Sequence, residues 1–358
     1  MNKLLPFNMP PISKGGMLGM LAGAGGGAGG LGLYQELGRT ALTGTSDTIS
    51  VSLSTAKPYL MVLCNYITGS SNVDGRMFFN SDGGSGGSSN YAWRIERDGN
   101  TASTTTSTYG INTEESYFNN AFQYYFINNF SDYEKLVTGI NGHDLNSGAA
   151  SVAPTRCLTV GKWITTGSQI TTVATTNIDS GDYASGSEMV VLGYDPTDTV
   201  GTSIWEELAS VELTGASDTI DSGTIANKKY LWIEYFINAS GSAGANMRFN
   251  SNSSSVYSTR RTANGGSDDT YVNQDKIECR VEYGNAFGSG FIGNNDGQQK
   301  LLILNETAQS TAGAGTAPAA NQVWGKSSVT TNITSIQIVN DGGGDFVAGS
   351  YLKVWGFN

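Results

Sequence analysis

Residues 34–49 read YQELGRTALTGTSDTI, and residues 205–220 read WEELASVELTGASDTI. The two stretches align without a gap and both contain the run LTG-x-SDTI. Each half of the chain also ends on a similar stretch, GDYASGSEMVVLGYD at 181–195 and GDFVAGSYLKVWGFN at 344–358. Similarity that keeps its order from the beginning to the end of both halves indicates a duplicated domain.

Shorter matches fill the interval between these ends. KPYLMVL at 57–63 corresponds to KKYLWIE at 228–234, and the pair Gly161-Lys162 corresponds to Gly325-Lys326. We therefore predict four segments along the chain: a flexible Gly-rich N-terminal arm at 1–33, a first domain at 34–195, a linker at 196–203 and a second domain at 204–358.

Composition and patterning favour an all-β fold. Only 14% of the residues are charged, 10% are aromatic, and the chain contains 48 glycines. Apolar and polar residues alternate in short runs separated by turn sequences, as half-buried strands require. We predict two tandem jelly-roll-like antiparallel β-sandwiches with few, short helices. The strands expected in the first copy are 34–42, 47–53, 58–67, 75–80, 91–97, 122–130, 134–139, 157–165, 169–174 and 187–194.

The charge and cysteine content restrict the function. A formal net charge of −11 and a pI near 4.6 argue against a nucleic-acid partner, because phosphate contacts need clustered Lys and Arg. The three cysteines have no close-spaced motif, and their odd number excludes complete disulfide pairing. Cys64 lies in an apolar run, which predicts a reduced thiol in the core.

The N-terminal segment matches neither a signal peptide nor a membrane span. Pro6, Pro10 and Pro11 interrupt the apolar stretch that a secretory signal needs. The run from Met17 to Leu33 lacks charge but is rich in glycine, which disfavours a helix. We interpret it as a flexible or extended arm and predict no transmembrane span.

Histidine chemistry depends on one residue. His143, in GINGHDLNSG at 139–148, is the chain's single histidine and has no counterpart in the second copy. A catalytic triad or a histidine metal site would depend on it alone. We predict a surface loop residue without a catalytic role.

The duplicated aspartates have a structural interpretation and two functional alternatives. Asp47 and Asp218 recur in one turn sequence, and Asp182 and Asp345 recur in another, which is expected of residues that cap turns. Paired carboxylates of a glycosidase are one alternative. Calcium binding by NIDSGD (177–182) and NDGGGD (340–345) is the other. The prediction is that no residue is catalytic, cofactor-binding or metal-binding.

Tryptophans offer a further alternative, because exposed aromatic rings can stack on sugars. The chain has six: Trp93, Trp163, Trp205, Trp232, Trp324 and Trp355. Trp205 and Trp355 fall in the repeated end strands, where core packing explains them better.

The closing sequence carries a resemblance to a group of viral proteins. IQIVNDGG at 336–343 precedes GSYLKVWGF at 349–357, and the opening strand reads L-x-x-T-x-L-x-G-x-x-D-T-I from Leu37 to Ile49. These motifs, with the glycine-rich arm before them, resemble bacteriophage structural proteins, particularly those of marine and aquatic samples. The resemblance implies a virion component, assembled in the host cytoplasm with other virion proteins and as a homo-oligomer, with a trimer expected by analogy.

Several functions follow as hypotheses. The leading one is a non-enzymatic structural protein of the virion surface, capsid- or tail-associated, assembled through its N-terminal arm and contributing to host attachment. Tandem jelly rolls also resemble the double jelly-roll major capsid proteins of icosahedral viruses, which gives a second hypothesis. The third is a carbohydrate-binding adhesion module that recognises host surface glycans, and the fourth is a glycoside hydrolase.

Overall fold

The structure is a computed structural model of the chain. It describes residues 34–68, 72–84, 87–113, 118–144, 150–198, 203–279, 283–309, 311 and 313–358. The predicted arm at 1–33 and part of the predicted linker lie outside the described residues. Within these ranges the fold is all-β, as predicted, and contains no helix.

Twelve strands come from the first half of the chain. They are β1 (Gln35–Ala41), β2 (Thr48–Ser52), β3 (Tyr59–Ile67), β4 (Gly75–Phe79), β5 (Tyr91–Arg97), β6 (Ser103–Thr108), β7 (Ile111–Asn112), β8 (Asn120–Asn128), β9 (Lys135–Asp144), β10 (Thr155–Trp163), β11 (Thr172–Asn177) and β12 (Glu188–Tyr194). They form an eight-stranded sheet in the order β1-β12-β3-β8-β9-β10-β5-β6 and a four-stranded sheet in the order β2-β11-β4-β7. We call these two sheets the N-terminal sandwich.

The second half of the chain repeats this arrangement. Its strands are β13 (Glu206–Glu212), β14 (Thr219–Asp221), β15 (Tyr230–Ile237), β16 (Ala245–Phe249), β17 (Tyr257–Ala263), β18 (Asp268–Gln274), β19 (Asn285–Gly293), β20 (Lys300–Gln309), β21 (Ala319–Ser327), β22 (Ile336–Asn340) and β23 (Tyr351–Phe357). The eight-stranded sheet has the order β13-β23-β15-β19-β20-β21-β17-β18, and β14-β22-β16 form the smaller sheet. We call these the C-terminal sandwich.

The two sandwiches match in detail as well as in strand order. Asn80 and Ser81 follow β4 with φ angles of 52° and 59°, and Asn250 and Ser251 follow β16 with 54° and 52°. Two successive positive φ angles define a tight reversal that Asn tolerates well. Each asparagine side chain also accepts a backbone N–H across the sandwich at 2.7 Å, in the N-terminal copy from Thr171. The same turn chemistry therefore closes both copies.

Each sandwich buries its own core between its large and small sheets. In the N-terminal sandwich the core includes Val62, Tyr125 and Val191, and in the C-terminal sandwich it includes Ile233 and Val354. These residues alternate along their strands with residues on the outer face of the large sheet. Burial of the inner-face side chains is the main stabilising contribution to each sandwich.

Strand predictions for the first copy need correction at four strands. The strand predicted at 169–174 is β11 at Thr172–Asn177, and the one predicted at 134–139 continues to Asp144 as β9. The two-residue strand β7 was not predicted, and neither was strand β6, which has the sequence STTTST. It lies at the edge of the large sheet with most residues exposed, so it lacks the apolar alternation that marks a half-buried strand.

The prediction for His143 was also wrong. It was predicted to lie on a surface loop, but it is in β9 and only 2% exposed. The stretch INGHD carries few apolar residues, so its pattern indicated a loop. It forms a strand because β9 pairs with β8 on one side and β10 on the other along this stretch.

Candidate functional site

The outer faces of the two large sheets pack against each other. The buried residues of this contact, which we call the inter-sandwich cluster, are Tyr34, Met61, Leu63, Phe122, Tyr124, Val190, Leu192, Trp205, Tyr230, Trp232, Phe291, Leu301, Ile303, Trp324, Trp355 and Phe357. Strand β3 shows why a sheet buries both faces. Its sequence YLMVLCNYI has apolar residues at both the odd and the even positions, and it is buried from Leu60 to Tyr66. That double apolar pattern was the sequence signal for this contact.

Aromatic rings dominate the centre of the cluster. Phe291 lies 5.0 Å from Tyr124 of the other sandwich, 5.8 Å from Trp232 and 5.9 Å from Trp205, measured between ring centroids. Trp205 also packs edge-on against Phe357 at 4.7 Å. Tilted and edge-on ring pairs at these separations add to the stabilisation from buried area. The inter-sandwich cluster therefore has the character of a protein core.

Buried ion pairs fix the position of one sandwich on the other. Lys326 Nζ lies 3.0 Å from Asp144 Oδ1, and the two side chains are 0% and 1% exposed. Arg156 Nε lies 2.9 Å from Asp268 Oδ1, with side chains 3% and 5% exposed. Such pairs gain little net stability because their charges lose water, but a misplaced partner would leave a buried charge alone. They therefore favour one relative orientation.

Directional hydrogen bonds cross the joint as well. Trp324 Nε1–H donates to the backbone carbonyl of Asn141 at 3.0 Å, and Tyr230 Oη–H donates to Glu188 at 3.0 Å. Burial raises the pKa of Tyr230 well above its ordinary value, and the nearby Glu188 carboxylate raises it further. The phenol consequently keeps its proton, and remains a donor, into the alkaline range.

The contact is asymmetric with respect to the duplication. Leu301 pairs with Lys326 across β20 and β21, and Leu136 pairs with Lys162 at the same register in β9 and β10. Leu301 is 1% exposed whereas Leu136 is 59% exposed. The C-terminal sandwich thus uses a part of its large sheet whose equivalent in the N-terminal sandwich is not covered by any described residue.

Six positions define this uncovered region, which we call the open face. In the N-terminal sandwich they are Tyr59, Phe126, Leu136, Thr138, Val160 and Tyr194. Strand pairing makes them the equivalents, in the same order, of Tyr230, Phe291, Leu301, Ile303, Trp324 and Phe357, all of which belong to the inter-sandwich cluster. Val160 is 50% exposed, while its equivalent Trp324 is 1% exposed. Phe126 and Tyr194 pack against the edge of the cluster, so the open face continues the existing contact.

The C-terminal sandwich carries a more polar region at the place where the N-terminal sandwich makes the contact, and its Glu234 is 9% exposed. Its outer face carries Glu234 and Lys353 at the positions of the buried Leu63 and Val190. Tyr351 Oη–H donates to Glu234 Oε1 at 2.9 Å. Burial raises the pKa of Glu234, and the hydrogen bond from Tyr351 opposes that rise. We call this region, together with Phe236 and Phe287, the polar-aromatic face.

His143 is part of the core of the N-terminal sandwich. Its ring centroid lies 5.3 Å from that of Phe118 at 32°. Burial lowers the pKa of His143 to about 3, and the positive charge of Arg97 lowers it in the same direction. A histidine held neutral in this way cannot cycle its proton near pH 7, so its chemistry differs from that of a general base.

Two of the duplicated aspartates come together on the surface. The pKa of Asp182 is raised, first by a hydrogen bond with Asp47 and also by the charge of that carboxylate. In the second copy, Asn340 Nδ2–H donates to Asp218 Oδ1 at 2.8 Å. The carboxylate pair of the N-terminal sandwich does not lie in a deep cleft, since Asp182 is exposed.

Asparagines organise the two loops considered for calcium. Asn177 Oδ1 accepts the backbone N–H of Asp74 at 2.7 Å and of Asp179 at 3.0 Å. Asn340 Oδ1 accepts backbone N–H groups of Gly244 and Gly342, both at 2.9 Å. Across the described ranges, no group of three or more His, Cys, Asp or Glu side chains is arranged to hold a metal ion.

The tryptophans do not form a platform on the surface. Trp163, Trp232 and Trp324 are each 1% exposed, and Trp93 is half-buried. The expectation that Trp205 and Trp355 are buried is confirmed, although they pack between the sandwiches rather than inside one. The sugar-stacking alternative was based on exposed tryptophans, and that part of it is wrong.

Comparisons with known proteins leave the family open. No protein-family model matches the sequence, and no curated protein matches it. Among solved structures, the LG1-3 region of the laminin α2 chain is similar at a TM-score of 0.20 and 8% identity, over 86% of this chain. This chain spans 64% of that fragment's length.

Two further solved structures are similar at the same level. Domains LG4-5 of the mouse laminin α1 chain give a TM-score of 0.18 at 10% identity, covering 90% of this chain and 89% of the other. Ail, the attachment invasion locus protein of Yersinia pestis in complex with the heparin analogue sucrose octasulfate, gives 0.12 at 6% identity, covering 79% and 99%. These scores are too low to assign a function. In the part of the chain that is described, no helix has the length and hydropathy to cross a bilayer.

Proposed function

We propose that this protein is a non-enzymatic structural subunit of a virion surface that assembles with further copies of itself through the open face. The observation that carries the proposal is that the equivalent face of the C-terminal sandwich is already a contact between two sandwiches, with Leu301 and Trp324 buried. The open face keeps the fold, the register and an aromatic-aliphatic surface, but none of the described residues buries its Leu136 and Val160.

The occupant we propose for the open face is the polar-aromatic face of a second copy. Within one chain, an N-terminal sandwich covers a C-terminal one, and the two sandwiches use different regions of equivalent sheets. A contact of this head-to-tail kind leaves one complementary region free at each end of the chain. Repeating it between chains gives a ring if the rotation closes, and a trimeric ring would contain six sandwiches.

Composition supports this pairing. The open face presents the exposed Leu136 and Val160, and the polar-aromatic face presents the half-buried Phe236 and Phe287. Aromatic residues are enriched where two protein surfaces bury each other.

The placement in a virion draws on the sequence resemblance. The motif GSYLKVWGF forms β23, whose outer-face residues Trp355 and Phe357 belong to the inter-sandwich cluster. The motif thus contributes to the contact between the two sandwiches, as expected of a motif in an architectural protein. His143 and the asparagine-centred loops are likewise used by the fold, which supports a non-enzymatic role.

Assembly can be tested with the full chain in solution. We expect multi-angle light scattering and mass photometry to show a discrete oligomer for the native protein and a monomer for Leu136→Glu/Val160→Glu. Ile178→Glu is the matched control, because Ile178 is also 50% exposed but lies outside the large sheet. Circular dichroism should show all three proteins folded. A monomeric native chain, or a double variant that assembles normally, would contradict the proposal.

The virion assignment needs a separate measurement. Mass spectrometry of particles purified through a density gradient should recover peptides of this chain in the particle band. A dominant copy number would identify the shell protein, and a low one would identify an appendage. Particles without the chain would refute the virion assignment while leaving self-assembly in place.

A further inference from the structure

A pocket with a volume of about 280 Å³ opens beside the core of the C-terminal sandwich. Its walls come from β16, β17, β20, β21 and the segment that follows β21. The residues that matter for its chemistry are Phe249, Asn252, Tyr257, Lys300, Ser327 and Ile333. It combines aromatic and aliphatic walls with an ammonium group and a side-chain amide.

The N-terminal sandwich fills the equivalent space with its own side chain. Ser327 pairs with Tyr257 on one neighbouring strand and with Lys300 on the other. Trp163 pairs in the same way with Tyr91 and Lys135. Serine in one copy therefore stands where the other copy has tryptophan, and the missing indole accounts for the pocket.

The surroundings of Trp163 show which groups this space presents to an aromatic ring. Its ring is stacked on Tyr91 at 14° with a centroid separation of 6.3 Å, and it lies 5.7 Å from the ring of Phe79. Indole Nε1–H donates to Asp82 Oδ2 at 2.7 Å. The Lys135 ammonium lies 5.8 Å from the ring centroid, within the range of a cation–π interaction.

The C-terminal sandwich has counterparts of these groups without the indole, with an asparagine in place of the aspartate. Tyr257 accepts the backbone N–H of Phe249 at 2.9 Å, as Tyr91 accepts that of its phenylalanine at 2.8 Å. Asn252 stands at the position of Asp82, since each donates its backbone N–H to the phenylalanine three residues before it. Three backbone carbonyls, those of Asn295, Gln298 and Thr330, hold the Lys300 ammonium at the pocket wall.

We infer that this pocket binds a flat aromatic group of indole size, in the place that Trp163 occupies in the other sandwich. The ring stacks on Tyr257 and packs against Phe249, and Lys300 faces it. An N–H at its edge donates to the side-chain oxygen of Asn252, which also accepts the backbone N–H of Ser254 at 2.9 Å and has a second lone pair for the ligand. A dry apolar cavity of about 150 Å³ is enough to bind benzene, so 280 Å³ accommodates a two-ring system.

Two sources can supply this chemistry: a free aromatic heterocycle, or a tryptophan side chain of another polypeptide. The test uses the full chain with 5-fluoroindole followed by ¹⁹F NMR, and the peptide acetyl-Gly-Trp-Gly-amide in a competition arm. We expect saturable binding of one fluoroindole per chain. Displacement by the peptide identifies a polypeptide side chain as a fitting source, and its failure to displace identifies the free heterocycle.

Three variants locate the site. Ser327→Trp fills the pocket with the residue that the other copy carries, so fluoroindole binding should fall at least tenfold. Trp163→Ser opens the equivalent space, and the stoichiometry should rise from one to two. Glu212→Ser, on the exposed side of β13 in the same sandwich and outside the pocket, is the control and should leave binding unchanged.

Two results would overturn the inference. Absence of saturable binding by the native chain, or unchanged binding by Ser327→Trp, overturns the inference. If Trp163→Ser fails to fold, the Ser327→Trp result still decides. The inference does not depend on self-assembly or on the virion assignment, because the pocket lies within one sandwich.

Discussion

His143 should make the stability of the protein depend on pH in a range where few other side chains titrate. Its pKa is lowered from 6.5 to about 3 in the folded chain, so acid protonates the unfolded chain first. Above pH 6.5 the histidine is neutral in both states and does not reduce the free energy of unfolding. As the pH falls from 6.5 towards 3, only the unfolded chain takes up the proton, and the free energy of unfolding decreases. Lowering the pH from about 7.5 to about 5 should reduce the free energy of unfolding by about 2 kcal/mol.

This magnitude is insensitive to the exact folded value. At pH 5 the folded histidine is still neutral, so the loss is set by protonation of the unfolded chain. Urea unfolding of native protein and of His143→Gln at both pH values measures it, and only the native protein should show the histidine contribution. Because the chain has a single histidine, one ring proton resonance reports the folded state directly. A resonance that titrates near pH 6.5 would refute the reasoning.

Other substitutions test the joint and the cores. Asp144→Ala leaves a buried lysine without its partner and should lower the free energy of unfolding by about 3–5 kcal/mol. Glu134→Ala breaks an exposed pair and should lower it by less than about 1 kcal/mol in the same urea titration. Gly288→Ala should cost about 1–3 kcal/mol, because its Cβ would lie 2.3 Å from a buried tyrosine ring, and Gly215→Ala should be close to neutral since nothing lies within 4 Å. The three cysteines are buried and form no disulfide, so a thiol reagent should label them only under denaturing conditions; rapid labelling of the native protein would contradict the burial.

The sequence predicted the large-scale organisation well. Repeated turn and strand motifs indicated the duplication, and period-2 alternation located most strands of the first copy. Both signals are local, because an alternating strand and a tight turn depend on neighbouring residues. The all-β class follows from them and is confirmed. The edge strand β6 was missed because an exposed edge has no apolar face to display.

The inter-sandwich contact was harder to predict, because it depends on which outer-face residues meet across the two halves. Trp324 and Val160 occupy equivalent positions, yet only one is buried. No local pattern separates them. The pocket at Ser327 is different: once the copies are aligned, a serine opposite a tryptophan indicates missing volume, and this comparison was available from the sequence.

Because Lys326 and Asp144 are buried, the contact between the two sandwiches should respond little to salt. Mobile ions weaken attraction between charges that they can surround, and at molar salt this screening acts within a few ångströms. Lys162 and Glu134 are open to such ions, with side chains 42% and 44% exposed. The enclosed pair is sheltered from them, and apolar burial around it does not weaken with ionic strength. The two halves of the chain should consequently remain joined across a wide range of salinity.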